Sequence, residues 1–214
     1  MGVDLIIFDL DGTLVDSCED ITNALNYCLK ERGYEGLSSN IVKTMIGEGV
    51  KKLIQKVIEY KQLQISSEEM IECFVSYYKA HITDFTKPYP KVKETLKILK
   101  NIKKAIISNK LTELTIQTVK NLSLIHYFDF IGGSDSFQER KPSALPIIEV
   151  MKKLNSKPEN TIIVGDSELD IKAGKSAKIK TVAVTYGYGD KDSLSEADFK
   201  IDRFEDLIEI VKKL

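Results

Sequence analysis

Hydrophobic positions along this chain follow two different periods. Val3 to Phe8 is a short, mostly apolar run with the pattern of a buried strand. From residue 17 to about 80 the spacing turns helical. Ile21, Ala24, Leu25, Cys28 and Leu29 lie on one face of a 3.6-residue period. Met70, Ile71, Phe74 and Tyr77 follow Ser66-Ser67-Glu68-Glu69, which reads as a capping box. Beyond Pro88 short apolar strands alternate with helical stretches. The pattern predicts helix 91–100, strand 104–108, helix 111–122, strand 128–131 and helix 143–154. It then predicts strand 161–164, helix 168–177, strand 181–185, a short strand 199–201 and a closing helix from Glu205.

Short apolar strands separated by helices indicate a parallel sheet covered on both faces, because right-handed crossovers put the helices there. The expected class is therefore α/β, a doubly wound parallel sheet with an inserted all-helical domain. Its edges fall where Pro88 and Pro90 mark a return linker, giving a core of residues 1–15 and 86–214 and a helical domain of residues 16–85. At 214 residues, one large domain with a smaller insertion is the natural organisation.

Composition narrows the function. The 31 basic and 32 acidic residues nearly cancel, leaving no electrostatic footprint for nucleic acid and no basic stripe for a membrane surface. No stretch approaches the ~18 apolar residues of a membrane span. The start of the chain has no signal-peptide pattern. Cys18, Cys28 and Cys73 form no CxxC or Cys/His cluster and are odd in number, so reduced thiols and a cytoplasmic location are expected, with Cys28 a small core residue. His81 and His126 lack metal-ligand spacing, which argues against a zinc site.

In an open parallel sheet, ligands bind beyond the carboxyl ends of the strands. The first strand ends in Asp9 and Asp11, the second in Ser108-Asn109, and a later one in Gly165-Asp166-Ser167-Glu168-Leu169-Asp170. Lys141 precedes a helix that accommodates Pro146 in its first turn. Taken singly, Ser108-Asn109 reads as a helix cap, Lys141 as a solvated cation and Asp166-Ser167 as an N-terminal cap. Jointly, four elements deliver carboxylates, a hydroxyl, an amide and an ammonium to one sheet edge.

With these residues in this order, the chain resembles the haloacid dehalogenase superfamily, and its phosphoglycolate phosphatase-like branch in particular. The resemblance rests on Asp9-Leu10-Asp11-Gly12-Thr13, Ser108-Asn109, Lys141-Pro142 and Gly165 to Asp170. Softer support comes from Leu14 to Ser17 and from Thr185 to Gly189. It implies a Mg²⁺-dependent phosphatase with Asp9 as nucleophile and Asp11 as general acid and base. It implies that Asp9, Asp166 and the main-chain carbonyl of Asp11 ligate Mg²⁺. Ser108, the main-chain amide of Asn109 and Lys141 would hold the phosphoryl group, and Asp170 would support Lys141 or the metal's water shell. The helical domain would be a cap whose Gly47-Glu48-Gly49 loop faces the substrate, although two glycines between helices read equally well as helix ends.

The implied partner is a small phosphorylated metabolite, 2-phosphoglycolate first, in a monomer or homodimer. Pyrophosphate, sugar phosphates and nucleoside monophosphates stay open as substrates, as does phosphomutase chemistry. A non-catalytic phospho-receiver module fits less well, because a second acid after the nucleophile and a long helical insertion serve hydrolysis and selection. A serine hydrolase on Gly165-Asp166-Ser167 lacks the nucleophile elbow and a histidine partner.

Overall fold

The strands alternate their side chains between two apolar layers, as a two-residue period requires. The computed structural model describes residues 2–214. In chain order the elements begin with β1 (Leu5–Phe8), β2 (Val15–Asp16), α1 (Cys18–Lys30), α2 (Ser39–Lys43), α3 (Val50–Lys61), α4 (Ser67–Ala80) and β3 (Lys87–Pro88). Next come α5 (Val92–Ile98), β4 (Lys103–Ile107), α6 (Thr112–Asn121), β5 (Phe130–Gly132) and α7 (Leu145–Lys153). The chain closes with β6 (Thr161–Gly165), α8 (Glu168–Ser176), β7 (Lys180–Val184), β8 (Phe199–Ile201) and α9 (Leu207–Lys213). The helices and main-sheet strands expected from the pattern are all present, with ends shifted by one or two residues.

Six strands form one parallel sheet in the order β5-β4-β1-β6-β7-β8. From β1 the chain builds outward through β4 and β5, then crosses back to build β6, β7 and β8 on the other side. β1 therefore stands at the point where the winding reverses, where such sheets open a crevice. Ile6 and Phe8 pack with Val92, Leu96 and Leu207 on one face, while Leu5 and Ile7 pack with Ile147, Val150 and Ala173 on the other.

The four helices α1 to α4 form a separate apolar core around Leu25, Val42, Ile54, Met70 and Phe74. Leu114 of α6 joins that core from the sheet side. The stripe Ile21, Ala24, Leu25, Cys28, Leu29 is buried throughout, as its spacing predicts. The stretch expected to be a return linker is instead a strand: β3 pairs antiparallel with β2, Val15 opposite Pro88 and Asp16 opposite Lys87. Two-residue strands carry no readable period, and Pro88 argues against one in sequence. Buried Asp20, near the start of α1, secures the same junction by accepting from the N–H groups of Phe85 and Thr86 and from the Thr86 hydroxyl.

Two local expectations are corrected. Cys28 and Cys73 are joined as a disulfide between α1 and α4, leaving only Cys18 as a free, buried thiol among the described residues. Helix packing brings together two cysteines 45 residues apart, a proximity that spacing could not reveal. The cytoplasmic expectation loses the support it drew from reduced thiols. At α4, Ser66 accepts from the Glu69 N–H, but its hydroxyl donates to Glu68, so the reciprocal half of the capping box is not made. Among the described residues no helix is long and apolar enough to cross a membrane.

Candidate active site

Register brings the chemistry together. Phe8 pairs with Ile106 of β4 on one side and Val164 of β6 on the other, so Asp9, Ser108 and Asp166 emerge just beyond three adjacent strand ends. Lys141 enters from the loop between β5 and α7. Its Nζ donates to Asp9 Oδ1 at 2.7 Å and to Asp170 Oδ1 at 2.6 Å. Asp170 is in turn held by the N–H and hydroxyl of Ser167, which meet its Oδ2. Asp170 thus contacts Lys141 directly and also belongs to the group of carboxylates around Asp9.

Asp166 is buried but well supplied with donors. Thr13 Oγ1 reaches Oδ1 at 3.0 Å, and the N–H groups of Tyr188 and Gly189 reach Oδ2 at 2.7 and 3.3 Å. The sharp turn after β1 allows this approach: Gly12 has φ +84°, and a Cβ there would lie 2.3 Å from Asp166 Oδ2. Ser108 is buried, and its Oγ accepts from the N–H of Lys110 at 3.2 Å.

Asp11 stands beside this cluster. Its Oδ1 accepts from Lys110 Nζ at 2.6 Å and from Ser17 Oγ at 2.5 Å. Lys110 also donates to the hydroxyl of Tyr78 on α4 at 2.9 Å, which links the helical insert to the sheet edge. A second link runs through Asn109, whose Nδ2 donates to the Gly47 carbonyl and to the Lys141 carbonyl, both at 3.0 Å. Gly49, with φ +81°, lies so close that a Cβ would sit 2.6 Å from the Asn109 carbonyl oxygen. Gly47 and Gly49 therefore line the same cleft as Asp9, Asp11 and Ser108.

The electrostatics favour a cation. Ligand atoms of Asp9, Asp166 and Asp170 all lie within 4.8 Å of one another. Burial pushes the Asp9 carboxyl up to about 8; Lys141 pulls it down, while Asp170 and Asp166 push it further up. Burial and Asp170 likewise push Asp166 up to about 6. Lys141 is held above its ordinary value, because Asp170 and Asp9 outweigh the opposing effect of burial. Four carboxylates, Asp9, Asp11, Asp166 and Asp170, face two ammonium groups, Lys110 and Lys141. In formal charge that leaves an excess of two negative charges, which a divalent, oxygen-seeking ion would balance. The donor set fits such an ion.

Asp9, Asp11, Gly47, Gly49, Ser108, Asn109, Lys141, Asp166 and Asp170, the candidate site residues from sequence, are brought together here, whereas Glu48 turns to Lys56 of the insert. Reasoning from sequence missed Lys110, Ser17 and the supporting roles of Thr13 and Tyr188. Thr13 and Tyr188 lie inside runs that carried the resemblance, and Lys110 directly follows Ser108-Asn109, so adjacency was the available signal.

A parallel α/β sheet whose edge gathers acids, a hydroxyl and an ammonium beneath a helical insert has the make-up of a phosphoryl-transfer enzyme. The chain belongs to the haloacid dehalogenase-like hydrolases, whose family pattern matches residues 6–184, and within them it is a phosphatase. A phosphoglycolate phosphatase from Aquifex aeolicus (strain VF5) is 42% identical over 209 residues, covering 97% of this chain and 96% of that protein. One from Neisseria meningitidis (serogroup A / serotype 4A, strain DSM 15465 / Z2491) is 38% identical, covering 92% of this chain and 86% of that protein. Among solved structures, a predicted phosphoglycolate phosphatase from Haemophilus somnus 129pt superposes with a TM-score of 0.91 at 31% identity, covering 97% of each chain.

Proposed function

We propose that the chain is a Mg²⁺-dependent phosphatase acting on a small phosphate monoester, with 2-phosphoglycolate the first candidate, through a phosphorylated Asp9. The observation that carries this reading is the convergence of Asp9, Asp166 and Asp170 with Lys141 at the ends of adjacent strands. The names of the relatives support the choice of substrate.

In this reading an Asp9 carboxylate oxygen attacks phosphorus and the bond from phosphorus to the ester oxygen breaks. Asp11 gives a proton to the departing alkoxide. Lys110 and Ser17 both hold Asp11 through Oδ1, so Oδ2 is the oxygen left to carry that proton. Asp11 then takes a proton from water, water oxygen bonds to phosphorus, and the Asp9–phosphorus bond breaks to release inorganic phosphate. Ser108, the Asn109 amide and Lys141 bind the phosphoryl oxygens and are set before the reaction begins. Asp9, Asp166 and the Asp11 carbonyl would hold Mg²⁺, which when bound supplies positive charge against the phosphoryl oxygens. Asp170 keeps Lys141 in place.

Residues 16–85 would serve as a cap domain over a core of residues 1–15 and 86–214, with Gly47 and Gly49 bounding the substrate. The test is phosphate release from 2-phosphoglycolate, pyrophosphate, sugar phosphates and nucleoside monophosphates, with Mg²⁺ and with excess chelator. The expected result is chelator-sensitive release with 2-phosphoglycolate preferred. Interconversion of sugar phosphate isomers without free phosphate would overturn hydrolysis in favour of a mutase.

A further inference from the structure

The cleft between insert and sheet has two unlike halves. Toward the sheet it presents Asp9, Asp11 and Ser108; toward the helices it presents Ile21, Ile46, Val50, Leu53, Phe74 and Leu114. Lys110 stands on the seam and is the one cationic side chain among the described residues that line it. Its side chain is 7% exposed. An ammonium has three donors, and those of Lys110 have two acceptors, Asp11 Oδ1 at 2.6 Å and the Tyr78 hydroxyl at 2.9 Å.

We propose that Lys110 is the specificity-determining residue of the cleft: its ammonium receives a carboxylate carried by the organic part of the substrate, a short phosphorylated carboxylic acid. The inference rests on the phosphatase reading and deepens it. If Asp11 serves the ester oxygen through Oδ2, then Lys110, bonded to Oδ1 of the same carboxyl and lining the same cleft, stands beside the organic group that the ester oxygen carries. A carboxylate joined to the ester oxygen through a single carbon falls within reach of that ammonium. A longer acid would carry its charge past Lys110 into the apolar wall, where an unpaired carboxylate is costly to bury. A neutral organic group would leave the third donor of Lys110 unused, and an ammonium-bearing one would be repelled. Lys110 would then lie between two carboxylates, as Lys141 already lies between Asp9 and Asp170.

The test compares kcat/KM of the full chain with Mg²⁺ for three monoesters of similar size: 2-phosphoglycolate, ethyl phosphate and O-phosphoethanolamine. The wild-type order is expected to be carboxylate, then neutral, then ammonium. Lys110→Met also disturbs Asp11 and slows every substrate, so the readout is the ratio between 2-phosphoglycolate and ethyl phosphate. Loss of one partner of a buried charge pair should lower that ratio by about 30-fold or more, chiefly through KM for 2-phosphoglycolate. Lys110→Arg, which keeps the charge, should retain the preference. An unchanged ratio in Lys110→Met, with kcat falling equally for both esters, would overturn the proposal and leave Lys110 a positioning residue for Asp11. The wild-type series keeps the proposal open to refutation even if Lys110→Met does not fold, since equal use of O-phosphoethanolamine and 2-phosphoglycolate would also overturn it. A wild-type enzyme that releases phosphate from none of the three, yet does so from another ester of the wider substrate panel, would bring down the 2-phosphoglycolate reading on which the proposal rests.

Discussion

The sheet edge and the inner wall of the helical insert face each other across one cleft and are made of opposite materials. The edge is a dense set of charges, each fixed by a named partner: Lys141 between Asp9 and Asp170, and Asp166 under Thr13, Tyr188 and Gly189. The wall is aliphatic and aromatic, packed on its own core and stitched by the Cys28–Cys73 disulfide. A cluster of buried charges does chemistry at the expense of stability, because like charges out of water repel. An apolar bundle contributes stability and shape. Substitutions should therefore separate cleanly, those at the edge harming turnover and those in the insert harming folding.

The largest expected effect would break the comparison if absent. Asp9→Asn should lower kcat by at least about 10⁴-fold, as loss of a nucleophile does elsewhere. Because the change relieves repulsion from Asp166 and Asp170 but also gives up the ion pair with Lys141, the two effects oppose each other and the melting temperature in metal-free buffer should change far less than turnover. Turnover near that of the parent would exclude Asp9 as nucleophile. The converse experiment is Cys73→Ser. Removing a cross-link that closes a 45-residue loop should cost about 4 kcal/mol in urea unfolding under oxidising conditions, with kcat retained. Adding reductant should bring the parent down to the variant; indifference to reductant would mean that the bond does not form in solution.

If Ser108 is a phosphoryl donor, Ser108→Ala should reduce kcat by about 10²–10³-fold, at a stability cost of about 1 kcal/mol because the Lys110 N–H loses its acceptor. The smallest effect sharpens the boundary between the regions. Gly49→Ala places a methyl group 2.6 Å from the Asn109 carbonyl at a backbone angle that favours glycine. The insert loop must then shift, and kcat/KM should fall by about tenfold. A rise in KM alone would assign the loop to substrate binding; a fall in kcat alone would assign it to alignment of Asn109 and Lys141.

Much of the edge was legible in sequence because three of its residues follow apolar runs. Asp9 follows Val3 to Phe8, Ser108 follows Ala105 to Ile107, and Asp166 follows Thr161 to Gly165, so strand order alone brings them level. The insert was legible as helices through the stripe from Ile21 to Leu29. What stayed hidden depends on how separate elements meet. Lys110 reads as an ordinary exposed lysine until α4 sets Tyr78 above it. Asp20 sits among helical residues with nothing to show that it would grip Phe85 and Thr86, 65 and 66 positions away. The disulfide needed the relative placement of α1 and α4, and the β2–β3 pair was too short to show a period.

That small pair has a mechanical consequence. The chain crosses from sheet to insert at Val15–Asp16 and returns at Lys87–Pro88, and these crossings are hydrogen-bonded to each other. Asp20 clamps the return segment, and the Tyr188 hydroxyl accepts from the N–H groups of Ser17 and Cys18 while donating to Asp16. Two crossings fastened side by side hold the insert by one short ribbon and not by two independent threads. On the far side the named polar catches are Gly47 on Asn109 and Tyr78 on Lys110. Leu114 also reaches from α6 into the core of the insert, and Gln117 and Asn121 bond to Lys79 and Thr83, so any opening would give up these contacts as well as the catches, each hydrogen bond at about 1 kcal/mol net.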